Sequence, residues 1–388
     1  MKVRDRIAPL VLVALLAAPA FPCSAFLVCG GDSVLMGNNE DYWDPNVRIW
    51  FVPATEGRLG RVFLGYENMY PQGGMNQAGL AFDGFATGRR PMRKQGGKEV
   101  FEGNLIDEVM ATCATVEEVI ARLSRYDLRM LENAMLFFCD KSGDSVIVEG
   151  DEFVRKEGAF QVVTNFYQSR QENDREMCPR FDAAVGMLEG VERPDLALCR
   201  RVLARTAQEG GAPTQYSNVF DLKRGRVYLY HFHNFQEVVV FDLAMELRKG
   251  EHVIAIPDLF PETFAYRSYL EKRKREQADE IKRRRGKPVP AKLLAEYAGR
   301  YAIDIPGVSP ITVHIRRDGA RLLASSRGEA VRDEGKEVEL LPQSQTIFFH
   351  VADRGTTEVH FERDGDGAVS GIVIKGPLGK PVRGTRIR

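Results

Sequence analysis

The chain has 388 residues, enough for two domains with full cores. Lys plus Arg and Asp plus Glu both total 54, so no net field draws it to nucleic acid or to an anionic membrane surface. Its six cysteines (Cys23, Cys29, Cys113, Cys139, Cys178 and Cys199) are too sparse for a disulfide scaffold, although export would permit pairing among Cys113, Cys139, Cys178 and Cys199.

Met1 to Pro22 reads as a secretory signal. Lys2, Arg4 and Arg6 precede an apolar run from Leu10 to Ala18, and small residues follow at Ala18-Pro19-Ala20. The run is about half of what a bilayer span needs, and no later segment does better. The mature protein is therefore expected to be exported, to the periplasm or the medium, without a transmembrane anchor. Signal peptidase cuts badly after proline, so cleavage after Ala20 and later loss of Phe21-Pro22 would leave Cys23 first. Pro22 also fits poorly before a lipidated cysteine.

From Cys23 the elements run in a mixed order. Ser24–Val28 is a short apolar strand; the turn Gly30-Gly31-Asp32 leads to a second strand ending in Gly37-Asn38-Asn39-Glu40-Asp41. Strands are expected at Val47–Val52, Arg61–Tyr66 and across Gly73–Ala86, with a tight turn at Asn76-Gln77-Ala78-Gly79. Helices follow at Asn104–Cys113 and, behind a capping box at Thr115-Val116-Glu117-Glu118, through Ser124. Strands return at Ala134–Cys139, Ser145–Glu149 and Phe160–Thr164, and helical patterns fill Arg180–Leu188 and Asp195–Ala207. A hairpin, Ser217–Leu222 with Val227–His231, and a strand at Glu237–Asp242 close this part. Without regular βαβ alternation the class is α+β, with antiparallel sheets and packed helices.

Thr263 to Arg285 reads as a highly charged, solvated helix, and Gly286-Lys287-Pro288-Val289-Pro290 breaks it as a linker. The expected division is signal and propeptide 1–22, a catalytic domain 23–262, helix and linker 263–290, and a small β domain 291–388. In the last, strand-length runs at Ile311–Ile315, Arg321–Ser325, Glu337–Pro342, Thr346–Val351, Glu358–Glu362 and Ile372–Lys375 fit a small barrel or sandwich.

A thiol at the first mature residue, opening a hairpin with a carboxylate at its far end, points to an N-terminal nucleophile. Cys23 would supply the sulfur and its own freed α-amine, with a pKa of about 8, the base. A cation would lower the thiol pKa, a carboxylate would orient the amine, and amide donors would face the oxyanion. Two Gly-Asp-Ser-Val copies, at 31–34 and 143–146, look like a serine esterase block, but no Asp-x-x-His follows and both fall at hairpin turns. His231 and His233 would share a strand face, with no third metal ligand at a helpful spacing.

Over roughly Cys23 to Leu243 the chain resembles the choloylglycine hydrolase and penicillin V acylase family of N-terminal nucleophile hydrolases. The ordered matches are Cys-Ser-Ala-Phe-Leu at 23–27, Gly-Asn-Asn-Glu-Asp at 37–41, Gly-Met-Asn-Gln-Ala-Gly-Leu at 74–80, Thr-Asn at 164–165, Pro-Arg-Phe at 179–181 and the Tyr216–Asp242 hairpin region. The resemblance implies an αββα sandwich and hydrolysis of a linear, non-peptide amide through a thioester on Cys23, or acyl transfer by the same route. It also implies Asp41 as the carboxylate holding the α-amine, Asn165 as the oxyanion donor and Arg180 as the guanidinium beside the thiolate. Asn76 reads as a turn residue. Two positions depart from the pattern: Asn38 stands where many members carry arginine, and Ala86 where many carry asparagine. A fold-retaining exported binding protein is the alternative. The tail from about Lys292 resembles the small β domain appended to exported serine β-lactamase-like hydrolases. The expected partner is a small-molecule amide, in a chain that could form homo-oligomers. No metal, organic cofactor or nucleic acid is implied, and the substrate-binding residues are left unassigned.

Overall fold

The structure is a computed structural model that describes residues 23–92, 96–169, 178–303, 311–328, 335–352, 355–376 and 381–387. The expected signal segment and dipeptide, Met1 to Pro22, lie outside the described residues.

The opening hairpin pairs β1 (Ser24–Gly30) with β2 (Ser33–Asp41). Its turn needs Gly31, which sits at a φ of 54°. A meander follows, of β3 (Val47–Val52), β4 (Arg61–Tyr66), β5 (Pro71–Asn76) and β6 (Ala81–Ala86). Next come α1 (Leu105–Thr112) and α2 (Val116–Leu123), then β7 (Ala134–Cys139), β8 (Ser145–Glu149), β9 (Glu152–Arg155) and β10 (Phe160–Val163). The chain continues through α3 (Pro179–Leu188), α4 (Leu196–Thr206), β11 (Thr214–Asp221), β12 (Arg226–His231), β13 (Asn234–Asp242), α5 (Leu243–Leu247) and β14 (His252–Ala255).

These strands make two antiparallel sheets, β10-β1-β2-β11-β12-β13 and β14-β3-β4-β5-β6-β7-β8-β9. Alternate side chains of facing strands, such as Leu27, Met36 and Phe220 from one sheet and Ile49, Leu64 and Phe137 from the other, fill the space between them. On the outer face of the larger sheet Phe63, Phe82 and Phe138 pack under α1 and α2. On the other outer face Phe26, Leu35 and Val219 pack under α3 and α4. The result is the expected αββα sandwich. Asn104 caps α1 and Thr115 caps α2. Glu118 takes the Ala114 amide at 2.6 Å rather than that of Thr115, so the capping box reaches one residue further back than expected. Three short elements of the sandwich, β9, α5 and β14, were not anticipated, and neither were the strands at Gly299–Ile303 and Val382–Ile387 in the tail.

Beyond the sandwich, α6 (Phe264–Arg284) buries only Tyr266 along its length. The break after it is docked rather than free: the Gly286 amide donates to Pro342 O at 2.8 Å, and a Cβ there would stand 2.2 Å from Gln343 O. After α7 (Ala291–Tyr297) come β15 (Gly299–Ile303), β16 (Ile311–Asp318), β17 (Arg321–Arg327), β18 (Val338–Pro342), β19 (Ile347–Ala352), β20 (Gly355–Arg363), β21 (Val369–Lys375) and β22 (Val382–Ile387). Pairing of β15 with both β16 and β22 closes a barrel, which decides between barrel and sandwich. Tyr297, Tyr301, Phe348 and Phe361 fill it. Among the described residues no helix is long and apolar enough to cross a membrane.

Candidate active site

Cys23 immediately precedes β1 and shares the inward parity of Ala25 and Leu27, so its side chain enters the space between the sheets. It is 4% exposed. Strand register sets its neighbours. Ala25 pairs with Val163 and Ser24 with Asn39, which carries Asn165 and Glu40 to either side of Cys23.

The four residues expected at the site come together. Arg180, the second residue of α3, donates from Nη1 to the Cys23 carbonyl at 2.8 Å. The same nitrogen lies 3.7 Å from Asp41 Oδ2, and Nη2 donates to Asn165 Oδ1 at 3.3 Å. Asp41 is fully buried at the end of β2. Its carboxylate accepts from Gln208 Nε2 at 2.7 Å and from the Thr214 hydroxyl. Burial pushes its pKa up to about 7, against the pull of Thr214, Gln208 and the Arg180 charge. The Cys23 thiol lies 4.0 Å from the Asp41 carbonyl.

The two departures have concrete outcomes. The Ala86 carbonyl accepts from Asn165 Nδ2 at 2.9 Å, so Asn165 is tied to the position where a second oxyanion donor would stand. Asn38 is fully buried next to the Glu40 carboxyl. In place of a cation, the inner side of the thiol meets acids.

That acidic side escaped the sequence reading. Glu40, buried on β2, accepts from the Tyr66 hydroxyl at 3.1 Å and has its carboxyl beside the Cys23 thiol. Burial, reinforced by the Asp41 charge, pushes Glu40 up to about 8. Asp83, fully buried in the middle of β6, is pushed well above the carboxylate range by burial and then by Glu40. Neither Asp83 oxygen has a full hydrogen-bond partner among the described residues, the Gly84 amide being only a loose neighbour. The buried Tyr216 hydroxyl has none either, and it feels the charges of Glu40, Asp83 and Cys23. A signal was present: polar residues at Asn38 and Glu40 fall on inward positions of a strand, and Asp83 interrupts the apolar run from Leu80 to Phe85.

These charges decide the state of the thiol. Burial, followed by the Glu40 and Asp41 carboxylates, raises Cys23 well above an ordinary thiol, and the guanidinium of Arg180 grips its carbonyl rather than its sulfur. A thiol held this way is not ionised beforehand and reacts only if a base takes its proton in place.

Asn76 is structural, as expected, and does more than turn the chain. Its Nδ2 donates to Met110 O at 2.9 Å and Cys113 O at 2.8 Å, tying the end of α1 to β5. The two histidines do not share a strand face. His231 ends β12 against the Tyr266 ring, and His233 lies in the following turn at a φ of 62°, with Nε2 on Gln208 O at 2.7 Å. All six cysteines are free thiols, and among the described residues no three His, Cys, Asp or Glu side chains are grouped to hold a metal.

Residues 62–189 match the family model of linear amide C-N hydrolases, choloylglycine hydrolase family. Residues 283–386 match a domain of unknown function, DUF3471. No curated protein matches the chain. Among solved structures, penicillin V acylase from Agrobacterium tumefaciens is 19% identical, with 60% of this chain and 90% of that one covered, at a TM-score of 0.46. A single-residue variant of conjugated bile acid hydrolase from Clostridium perfringens is 18% identical over 60% of this chain and 96% of that one, also at 0.46.

Proposed function

We propose that this chain, which carries a linear amide C–N hydrolase domain of the choloylglycine hydrolase family, is an exported enzyme whose nucleophile is Cys23 once that residue has become the N-terminus. The observation that carries the reading is the convergence on Cys23 of Arg180 and Asp41, 139 positions apart by their numbers (180 − 41), through contacts of 2.8, 3.7 and 4.0 Å.

In this reading the freed α-amine takes the thiol proton and the sulfur adds to the amide carbonyl. The tetrahedral oxyanion is met by the Asn165 amide. Collapse expels the amine, which receives the proton from the α-ammonium, and leaves an acyl thioester on Cys23. Water, activated by the same amine, then releases the carboxylic acid and restores the thiol. Asp41 holds the amine, and Arg180 fixes Asp41 and the Cys23 carbonyl in one frame. The buried, un-ionised thiol favours this route, because a base on the same residue needs no separate cation to prepare the sulfur. No metal or organic cofactor enters any step.

Intact mass of the exported protein and of its acid-quenched mixture with an amide panel tests this. The expected result is an N-terminus at Cys23 and an acyl adduct on the Cys23 peptide, absent in Cys23→Ala. A fully active protein that retains Phe21 at its N-terminus overturns the assignment of the amine as base.

A further inference from the structure

Glu40, Asp83, Tyr66 and Tyr216 form a polar lining on the inward side of the Cys23 thiol, and the amide-cleaving chemistry uses none of them. Each is under 5% exposed. In their charged form, acids so deeply placed are costly unless a cation meets them. No cation among the described residues does: the guanidinium of Arg180 is committed to the Cys23 carbonyl, Asn165 and Asp41. Both Asp83 oxygens and the Tyr216 hydroxyl, a group independent of the acids, lack a hydrogen-bond partner there.

We infer that this lining is a subsite for an ammonium group on the acyl portion of the substrate, close to the scissile carbonyl, and that the enzyme acts on aminoacyl amides. The inference rests on the hydrolase reading and narrows its substrate class. The side follows from the mechanism. The leaving amine must receive its proton from the α-amine, which Asp41 holds, so the leaving group departs toward Asp41. The acyl group stays on the sulfur and extends the other way, toward Glu40, which the register sets across from Cys23.

Charge accounting supports the choice of cation. Burial raises the pKa of both acids and so favours their protonated forms. An ammonium replaces that proton: a carboxylic acid and an ammonium become a carboxylate–ammonium pair, and one proton passes to the buffer.

Paired p-nitroanilides of matched shape test the inference with the mature enzyme: glycyl against propionyl, and β-alanyl against butyryl. The expected result is a kcat/KM at least tenfold higher for the ammonium member of each pair. Glu40→Gln and Asp83→Asn, both close in shape to the native residues, should collapse that ratio toward one. Equal or better turnover of the neutral members overturns the subsite and leaves the amidase standing; it would also be the outcome if the α-ammonium of Cys23 itself met the acids. If no member of any pair turns over, calorimetry of glycinamide and propionamide with the Cys23→Ala chain decides. Selective binding of glycinamide with proton release supports the subsite while the hydrolase reading fails, and absence of binding overturns the subsite as well.

Discussion

Glu40 and Asp41 are neighbours on one strand, yet they lie in opposite kinds of environment. Asp41, at the strand end, has Thr214, Gln208 and Arg180 around its carboxylate. Glu40 turns inward, toward Tyr66, the thiol and Asp83, whose oxygens have no full hydrogen-bond partner among the described residues. Strand pleating sends consecutive side chains to opposite faces, and β11 carries a bulge at this point, with Thr214 opposite Asp41 and Tyr216 opposite Glu40. The difference teaches where each kind of work is done. The Asp41 side is built to hold a group of the protein in place, and the side of Glu40 and Asp83 is built to receive something.

The sharpest way to break that division is at the residue shared by both sides. Cys23→Ala should remove turnover altogether and Cys23→Ser should lower it by several orders of magnitude, because a hydroxyl is a far poorer nucleophile toward an amine base of pKa about 8. Residual amidase rates near those of the native chain in either variant would end the nucleophile assignment.

On the partnered side, Asp41→Asn keeps the shape but gives up the charge that orients the amine. A loss on the order of 10² to 10⁴ in kcat is expected, by analogy with other orienting aspartates. Arg180→Ala should cost about 10² to 10³ and change the pH profile of iodoacetamide labelling at Cys23. An unchanged labelling profile in Arg180→Ala removes that residue from the site.

The two neighbouring carboxylates, Glu40 and Asp41, should also show themselves in stability. Glu40 and Asp41 titrate in the fold near 8 and 7, above the value of about 4 they have when unfolded. The native chain therefore binds more protons than the unfolded one between those limits, so its stability is full below about pH 4 and is lost as pH rises through 7 and 8. The melting temperature of the Cys23→Ala chain should fall between about pH 5 and about pH 8.5. Glu40→Gln should flatten that fall, and a melting temperature that instead rises over the range would refute the placement of these acids.

Most of the sandwich was legible because its strands alternate and its helices carry their own caps, as at Asn104 and Thr115. Val47–Val52 and Arg61–Tyr66 have the same limits in the sequence pattern and in the fold. The terminal strand β22 was harder to read, since Val382–Ile387 buries only Gly384 and is held by pairing to β15 and β21. The partnered half of the site was readable from short motifs, each with a family resemblance behind it. The acidic half was not, for a topological reason. Asp83 sits on β6 and Glu40 on β2, in different sheets, and only the stacking of the two sheets makes them neighbours. Taken alone, the polar run from Asn38 to Asp41 reads as the end of a hairpin.

Barrel closure has a bearing on how copies of this chain can associate. The eight strands of the barrel close on themselves, with no terminal strand among the described residues left for an incoming backbone to extend. The sandwich does have terminal strands. β13 is nine residues long and shows Val238 and Val240 at 43% and 48% exposure, with Glu237 between Gln236 and Val238 as its charged interruption. Among the described residues, the strand edges open to templating, whether orderly or as aggregation, thus lie in the sandwich, and β13 is one rim that a lysine placed at Val238 would blunt.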